Sequence, residues 1–184
     1  MHTTALMIID LQNDYFPGGS FPLPGAAPAG AKAAQLLAAF RQQGRPVVHV
    51  QHESLAPGST FFLPDTEGVA IHASVRPQGD ETVIIKQRPN SFLGTGLEAL
   101  LRERGIKSLV VCGMMTNMCV DAGVRAASDM GFACQLVHDA CAAADLSFGG
   151  VDVPAAKVHA AFVAALGFGY AQVVSCEEYL AGSA

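Results

Sequence analysis

Three residues whose side chains can do chemistry lie at or just beyond the ends of apolar segments. Asp10 follows the run ALMII, Lys86 ends the run ETVIIK, and Cys119 lies a few residues beyond LVVC. A thiol becomes a nucleophile when a base removes its proton and a nearby cation lowers its pKa, and a carboxylate in a low-dielectric pocket can hold and return that proton. These residue types predict nucleophilic catalysis by Cys119, with Asp10 as the base and Lys86 as the cation.

The segment LVVCGMMTNMC predicts how the cysteine is presented. Residues 109–112 read as a short buried strand, Gly113 as a turn, and Thr116 as the N-cap of a helix. Cys119 then lies at the third helical position, where free backbone N–H groups and the helix dipole favour a thiolate. The same turn would point the N–H groups of Met115 and Cys119 at one spot, as an oxyanion hole requires. The alternative for Cys119 is a small core residue, because free cysteines are often buried.

Alternating strands and helices must bring these residues together. The predicted strands are residues 5–9, 46–51, 81–86, 108–112, 133–138 and 171–175, and the predicted helices are residues 29–43, 97–104, 116–130, 154–166 and 176–180. This alternation predicts an α/β fold, a parallel sheet covered on both faces, in a single domain over residues 1–184. The carboxyl ends of such strands form the ligand-binding edge, and the irregular segment 52–80 is predicted to cover it.

Composition limits the partners and the location. The net charge of −5, without a basic cluster, argues against nucleic acid and anionic membranes as partners, so a small molecule is expected. With 51% hydrophobic and only 15% charged residues, part of the surface is predicted to form subunit contacts in a homo-oligomer. The five cysteines include no CxxC pair, and neither a secretion signal nor a membrane-length apolar run is found. These features predict a reduced, cytoplasmic protein.

The motifs around the three residues resemble those of a known superfamily. IIDLQNDY with Asp10, VIIKQRPNSF with Lys86 and VVCGMMTNMCV with Cys119 are similar, in order and spacing, to the isochorismatase-like cysteine hydrolases. That superfamily includes nicotinamidases, carbamoyl-amide hydrolases and isochorismatase itself. The resemblance implies a three-layer αβα fold with a six-stranded parallel sheet, and an Asp–Lys–Cys triad formed by these residues. It also implies a cis peptide bond between Met114 and Met115.

Two departures from relatives in that superfamily narrow the expected reaction. Nicotinamidases bind a metal through an Asp and two His residues after the second strand, whereas this chain has His49, His52 and Glu53 there and His72 further on. We therefore expect no metal ion, no other cofactor and no nicotinamidase activity. Isochorismatases that cleave a vinyl ether lack the nucleophilic cysteine, so Cys119 favours hydrolysis of a C–N bond in a small carboxamide, ureide or carbamate.

Four side chains are predicted to contact the substrate. Phe16 and Phe92 lie in loops expected near the strand ends, His52 follows the second strand, and Met115 precedes the nucleophile. An ordinary packing role is the alternative for each of them.

Two functions of other classes remain open from the sequence. A flavodoxin-like signalling module needs a phosphorylatable Asp among carboxylates after the third strand, where this chain has Lys86. A non-hydrolytic binding or redox-sensing module would use Cys119 as a reactive thiol.

Overall fold

The computed structural model describes residues 2–182. Its strands are β1 (Thr4–Ile9), β2 (Val47–His52), β3 (Thr82–Lys86), β4 (Ser108–Met114), β5 (Ala133–Ala142), β6 (Leu146–Phe148), β7 (Val151–Val153) and β8 (Gln172–Val174). Its helices are α1 (Ala26–Gln42), α2 (Leu97–Glu103), α3 (Asp121–Asp129), α4 (Ala155–Gly169) and α5 (Cys176–Ala181). Two short 3₁₀ turns (Asn13–Tyr15 and Ala73–Val75) and a π-helical turn (Thr116–Val120) complete the regular elements of the described residues.

Six of the strands form a parallel sheet in the order β3-β2-β1-β4-β5-β8. The chain runs outward from β1 through β2 to β3, then returns beside β1 at β4 and continues through β5 to β8. The order therefore reverses between β1 and β4, and doubly wound sheets bind ligands at such a switch point. Helices flank the sheet, which confirms the predicted three-layer α/β fold. Because both faces are covered, the central strands β1 and β4 are almost continuously apolar and buried.

Gly113 sets the spacing between the two central strands. The sequence predicted a turn here, but β4 continues through Gly113 to Met114. Its φ of +130° lies in a region that side chains rarely adopt, and a Cβ on Gly113 would collide with the carbonyl group of Ile9. Only glycine allows β4 to pass this close to the end of β1. Asp10 is the residue that directly follows that end.

The region after β5 differs from the prediction. β5 continues four residues beyond the predicted end at His138, because its pairing with β4 resumes after an irregularity: Val111 pairs with Leu136, and Gly113 with Cys141. The residues between this strand and the next helix, for which the sequence predicted neither strand nor helix, contain the antiparallel hairpin of β6 and β7.

Large apolar side chains remain exposed on the hairpin and on α4. Phe148 is 90% exposed and Phe168 is 96% exposed. Exposed aromatic residues of this kind are typical of contact surfaces, although the predicted homo-oligomer stays a prediction. No helix among residues 2–182 combines the length and the apolar character needed to cross a membrane.

An ion-pair network joins α1 and β2 to Glu81, the residue that precedes β3. Glu81 accepts hydrogen bonds from Arg41 Nε at 2.7 Å and pairs with His49 Nε2 at 3.0 Å. Burial by itself would raise the pKa of Glu81, but hydrogen bonds from Arg41, the N–H of Gln78 and His49 lower it to about 2, from an ordinary value of 4.5. A carboxylate with a lowered pKa in the folded state stabilises the protein above its unfolded pKa, and this stabilisation is lost as the pH falls through its folded pKa.

We therefore expect Glu81→Gln to lower the free energy of unfolding at pH 7 by roughly 1–3 kcal/mol. The difference from the wild type should shrink as the pH falls from 4.5 toward 2, because the wild-type carboxylate then takes up its proton. Urea denaturation of both proteins at pH 7 and at pH 3.5 measures this. An equal loss of stability at both pH values would show that the charge of Glu81 contributes nothing.

Candidate active site

Asp10 directly follows β1, and its side chain is fully buried. Its φ of +50° is uncommon for a residue with a side chain. The backbone is held in this conformation by two hydrogen bonds: its N–H donates to the carbonyl of Val50 on β2, and its own carbonyl accepts from the N–H of Gln12. The carboxylate is thus placed at the carboxyl end of the central strand, beside the switch point.

Lys86 ends β3 and reaches the same place from the edge of the sheet. Its register partner on β2 is His52, and its side chain is fully buried. The ammonium nitrogen lies 2.8 Å from Asp10 Oδ2, 2.9 Å from His52 Nδ1 and 3.2 Å from Cys119 Sγ. An ammonium group carries three protons, so these three contacts match its full donor capacity.

Cys119 lies in the π-helical turn rather than in the regular helix that the sequence predicted. The predicted N-cap is also wrong, because Met115 occupies that position and Thr116 is the first residue of the turn. The hydroxyl of Thr116 instead pairs with His159 Nδ1 on α4 at 2.9 Å, so it does not cap the turn. Cys119 is buried, and its sulfur faces Lys86.

Burial dominates the electrostatics of these three groups. It raises the pKa of Asp10, and the neighbouring Lys86 opposes the shift. Burial also raises the pKa of the Cys119 thiol. The charge of Asp10 adds to this shift, and the charge of Lys86 opposes it. A carboxylate with a raised pKa is a better base than an ordinary one. The site therefore places a protonated thiol beside a carboxylate that is suited to accept its proton.

His52 and Met115 lie at this site in different ways. His52 Nδ1 accepts a hydrogen bond from Lys86, and burial, together with the charge of Lys86, lowers the pKa of His52 to about 4. Met115 is partly buried at the start of the π-helical turn, and the peptide bond that joins it to Met114 is cis. Whether either residue contacts a substrate stays a prediction.

Phe16 and Phe92 are placed by packing contacts. The ring of Phe16 stacks on His72 with centroids 3.7 Å apart. The same ring packs so closely on α1 that a Cβ at Gly30 would collide with it. Phe92 stacks on Phe132 with centroids 6.2 Å apart. These contacts explain why both rings are buried, and a substrate contact by either ring stays a prediction.

Sequence reasoning missed Tyr15, an aromatic residue close to Asp10 and Cys119. Its ring packs on Phe62 with centroids 4.6 Å apart, and Phe62 in turn lies 5.9 Å from the ring of His52. Burial raises the pKa of Tyr15, and the nearby Asp10 and Cys119 add to the shift. The available signal was its position, five residues after Asp10 within the motif IIDLQNDY.

The histidines considered as metal ligands in the sequence have separate partners. His49 pairs with Glu81, whereas His52 pairs with Lys86. One potential ligand atom from each of Asp10, His52 and Cys119 lies within 4.8 Å of the others. The Lys86 ammonium contacts all three of these residues, so the chain supplies its own cation where they meet.

Comparison with known proteins identifies the family. The model of the isochorismatase domain matches residues 4–164. The isochorismatase family protein YddQ of Bacillus subtilis is 53% identical over 178 residues, which are 97% of this chain and 99% of that protein. A crystal structure from Oleispira antarctica, assigned to the isochorismatase hydrolases, has a TM-score of 0.94 at 52% identity and covers 97% of this chain and 96% of its own.

A more distant relative has a named reaction. The ureidoacrylate amidohydrolase RutB of Azorhizobium caulinodans is 30% identical over 155 residues, which are 66% of this chain and 68% of that protein. The family thus contains hydrolases, with amidohydrolases among them. By its matched domain, its relatives and its fold, the chain belongs to the isochorismatase family.

Proposed function

We propose that this protein hydrolyses a C–N bond of a small carboxamide, ureide or carbamate through a thioester on Cys119. The observation that carries the proposal is the position of Lys86 Nζ, 2.8 Å from Asp10 Oδ2 and 3.2 Å from Cys119 Sγ. It joins a base, a cation and a nucleophile in one buried site, at the sheet edge where doubly wound folds bind ligands. Similarity to an amidohydrolase supports the same class of reaction.

In the first proposed step, Asp10 takes the proton of Cys119 while the sulfur attacks the substrate carbonyl carbon. The new S–C bond pushes the electron pair of the C=O double bond onto oxygen, and the N–H groups of Met115 and Cys119 hold this oxyanion. Lys86 stabilises the negative charge that develops on the sulfur as its proton leaves. The tetrahedral intermediate then collapses: the C–N bond breaks, Asp10 gives its proton to the departing nitrogen, and ammonia or an amine leaves.

In the second proposed step, water cleaves the thioester. Asp10, now a carboxylate again, removes a proton from a water molecule that attacks the thioester carbon. The S–C bond breaks, the thiolate leaves toward Lys86, and Asp10 returns the proton to Cys119. The products are the acid and the free enzyme. The residues of the site suffice for these reaction steps without a cofactor.

We also propose that the enzyme acts as a homo-oligomer in the cytoplasm. The exposed Phe148 and Phe168 support subunit contacts. All five cysteines of the chain are free thiols, which suits a reducing compartment.

A screen for ammonia release tests the proposed reaction. Small carboxamides, ureides and carbamates are incubated with native enzyme and with enzyme whose Cys119 has been alkylated, as verified by mass spectrometry. We expect at least one of the three classes to release ammonia with the native enzyme only. Oxidation of Cys119 by peroxide, without hydrolysis of any amide in the panel, would instead indicate a redox-sensing protein, and uptake of label from acetyl phosphate would indicate a signalling module.

A further inference from the structure

The donor count of Lys86 points to a role for His52. Lys86 has three protons and three neighbours, two of which, Asp10 and Cys119, belong to the proposed reaction. The third is His52 Nδ1, at 2.9 Å. Because the Lys86 side chain is fully buried, water has little access to replace a lost partner.

We propose that His52 is a positioning residue, whose Nδ1 holds the Lys86 ammonium against Asp10 and Cys119. This inference deepens the proposed function and rests on it. His52 would act on the nucleophile only through Lys86, without touching the reacting atoms itself.

The chemistry of the contact determines the state of the imidazole. Lysine can only donate, so Nδ1 of His52 must present its lone pair, and the ring proton lies on Nε2. The lowered pKa of His52, about 4, agrees with a neutral ring at physiological pH. A neutral ring accepts a hydrogen bond from Lys86 without adding charge to the site. Among residues 2–182, no hydrogen bond uses Nε2 of His52, so its N–H remains available to a ligand.

The backbone around His52 is built to hold the ring in this position. Parallel pairing of β2 with β3 puts His52 directly beside Lys86. The side chain of Gln12 clamps the backbone of His52: its Oε1 accepts from the N–H at 2.8 Å, and its Nε2 donates to the carbonyl at 2.9 Å. Gln12 is fully buried and also donates to the carbonyl of Val69 at 2.7 Å, which ties the clamp to the segment between β2 and β3.

Three substitutions separate the Nδ1 contact from the size and packing of the ring. Asparagine carries its amide oxygen at the distance of Nδ1, so His52→Asn keeps an acceptor for Lys86. Leucine has no acceptor, and glutamine places its amide near the position of Nε2. If His52→Leu does not fold, as judged by circular dichroism, His52→Gln is the variant that lacks the Nδ1 acceptor.

The readout is the rate at which iodoacetamide alkylates Cys119 at pH 8, because it needs neither substrate nor turnover. Without its third acceptor, the Lys86 ammonium should turn away from the sulfur and stabilise the thiolate less. We expect His52→Leu to slow alkylation about tenfold, and His52→Asn to stay within about twofold of the wild type. In a Lys86→Met background, His52→Leu should change the rate no further.

Two results would overturn the role of His52: equal alkylation rates in the wild type and in His52→Leu, or the same slowing by His52→Leu with and without Lys86. Failure of the proposed function is seen separately. It would appear as absence of ammonia release from every amide while the alkylation rates still follow the expected pattern.

Discussion

The Cys119→Ala variant is expected to release ammonia from any accepted amide about 10⁴ times more slowly than the wild type, or slower still. The sulfur forms the bond that divides the reaction into two steps, and alanine offers no atom that can replace it. Substrate should still bind, because the residues around the nucleophile are unchanged. The measurement is ammonia production under saturating substrate, followed over hours to detect a slow residual rate.

A matched control distinguishes the loss of the nucleophile from the loss of a buried thiol. Cys112→Ala removes a fully buried cysteine of β4 from the same segment of chain, but from a position outside the three contacts of Lys86. This variant should keep most of the activity. A Cys119→Ala variant that retains even a tenth of the wild-type rate would rule out Cys119 as the nucleophile.

Lys86→Met is expected to destabilise the protein as well as to inactivate it. The Asp10 carboxylate and the Lys86 ammonium are both fully or almost fully buried and lie 2.8 Å apart. Removing the cation leaves a buried negative charge without its partner, which costs about 3–5 kcal/mol in comparable cases. Part of this cost is relieved when Asp10 takes up a proton, since its pKa is already raised by burial. Urea denaturation at pH 7 measures the loss.

The double variant Asp10→Asn/Lys86→Met tests the cause of that loss. It replaces the ion pair with two neutral side chains of similar size, so it should recover much of the stability while remaining inactive. Asp10→Asn alone should also be inactive, because an amide is not a base. If the double variant is as unstable as the sum of the two single variants, the pair does not interact as the structure indicates.

The three residues of the proposed triad could be predicted from the sequence because each lies at or just beyond the end of an apolar segment. That pattern places Asp10 and Lys86 at the carboxyl edge of a parallel sheet, and Cys119 one turn beyond it. The order of the strands could not be predicted in this way. Alternation of strands and helices indicates parallel pairing, but it does not show that β4 returns beside β1.

Local patterns failed where distant contacts decide the structure. Thr116 has a typical N-cap side chain, yet its hydroxyl pairs with His159, which lies 43 residues later. The contact between His52 and Lys86 depends on the register of β2 and β3, which neither segment encodes alone. Tyr15 was missed because its ring packs against Phe62, a residue far along the chain that no local pattern connects to it.

The most direct test of the central claim is to trap the covalent intermediate. The enzyme is mixed with the amide that releases the most ammonia in the screen, the reaction is quenched in acid during steady turnover, and the digested protein is analysed by mass spectrometry. We predict that the peptide containing Cys119 gains the mass of the substrate acyl group, and that this adduct is absent from Cys119→Ala. Full ammonia release with the acyl group on another residue, or with no adduct under conditions where Cys119→Ala is also active, would contradict a thioester on Cys119.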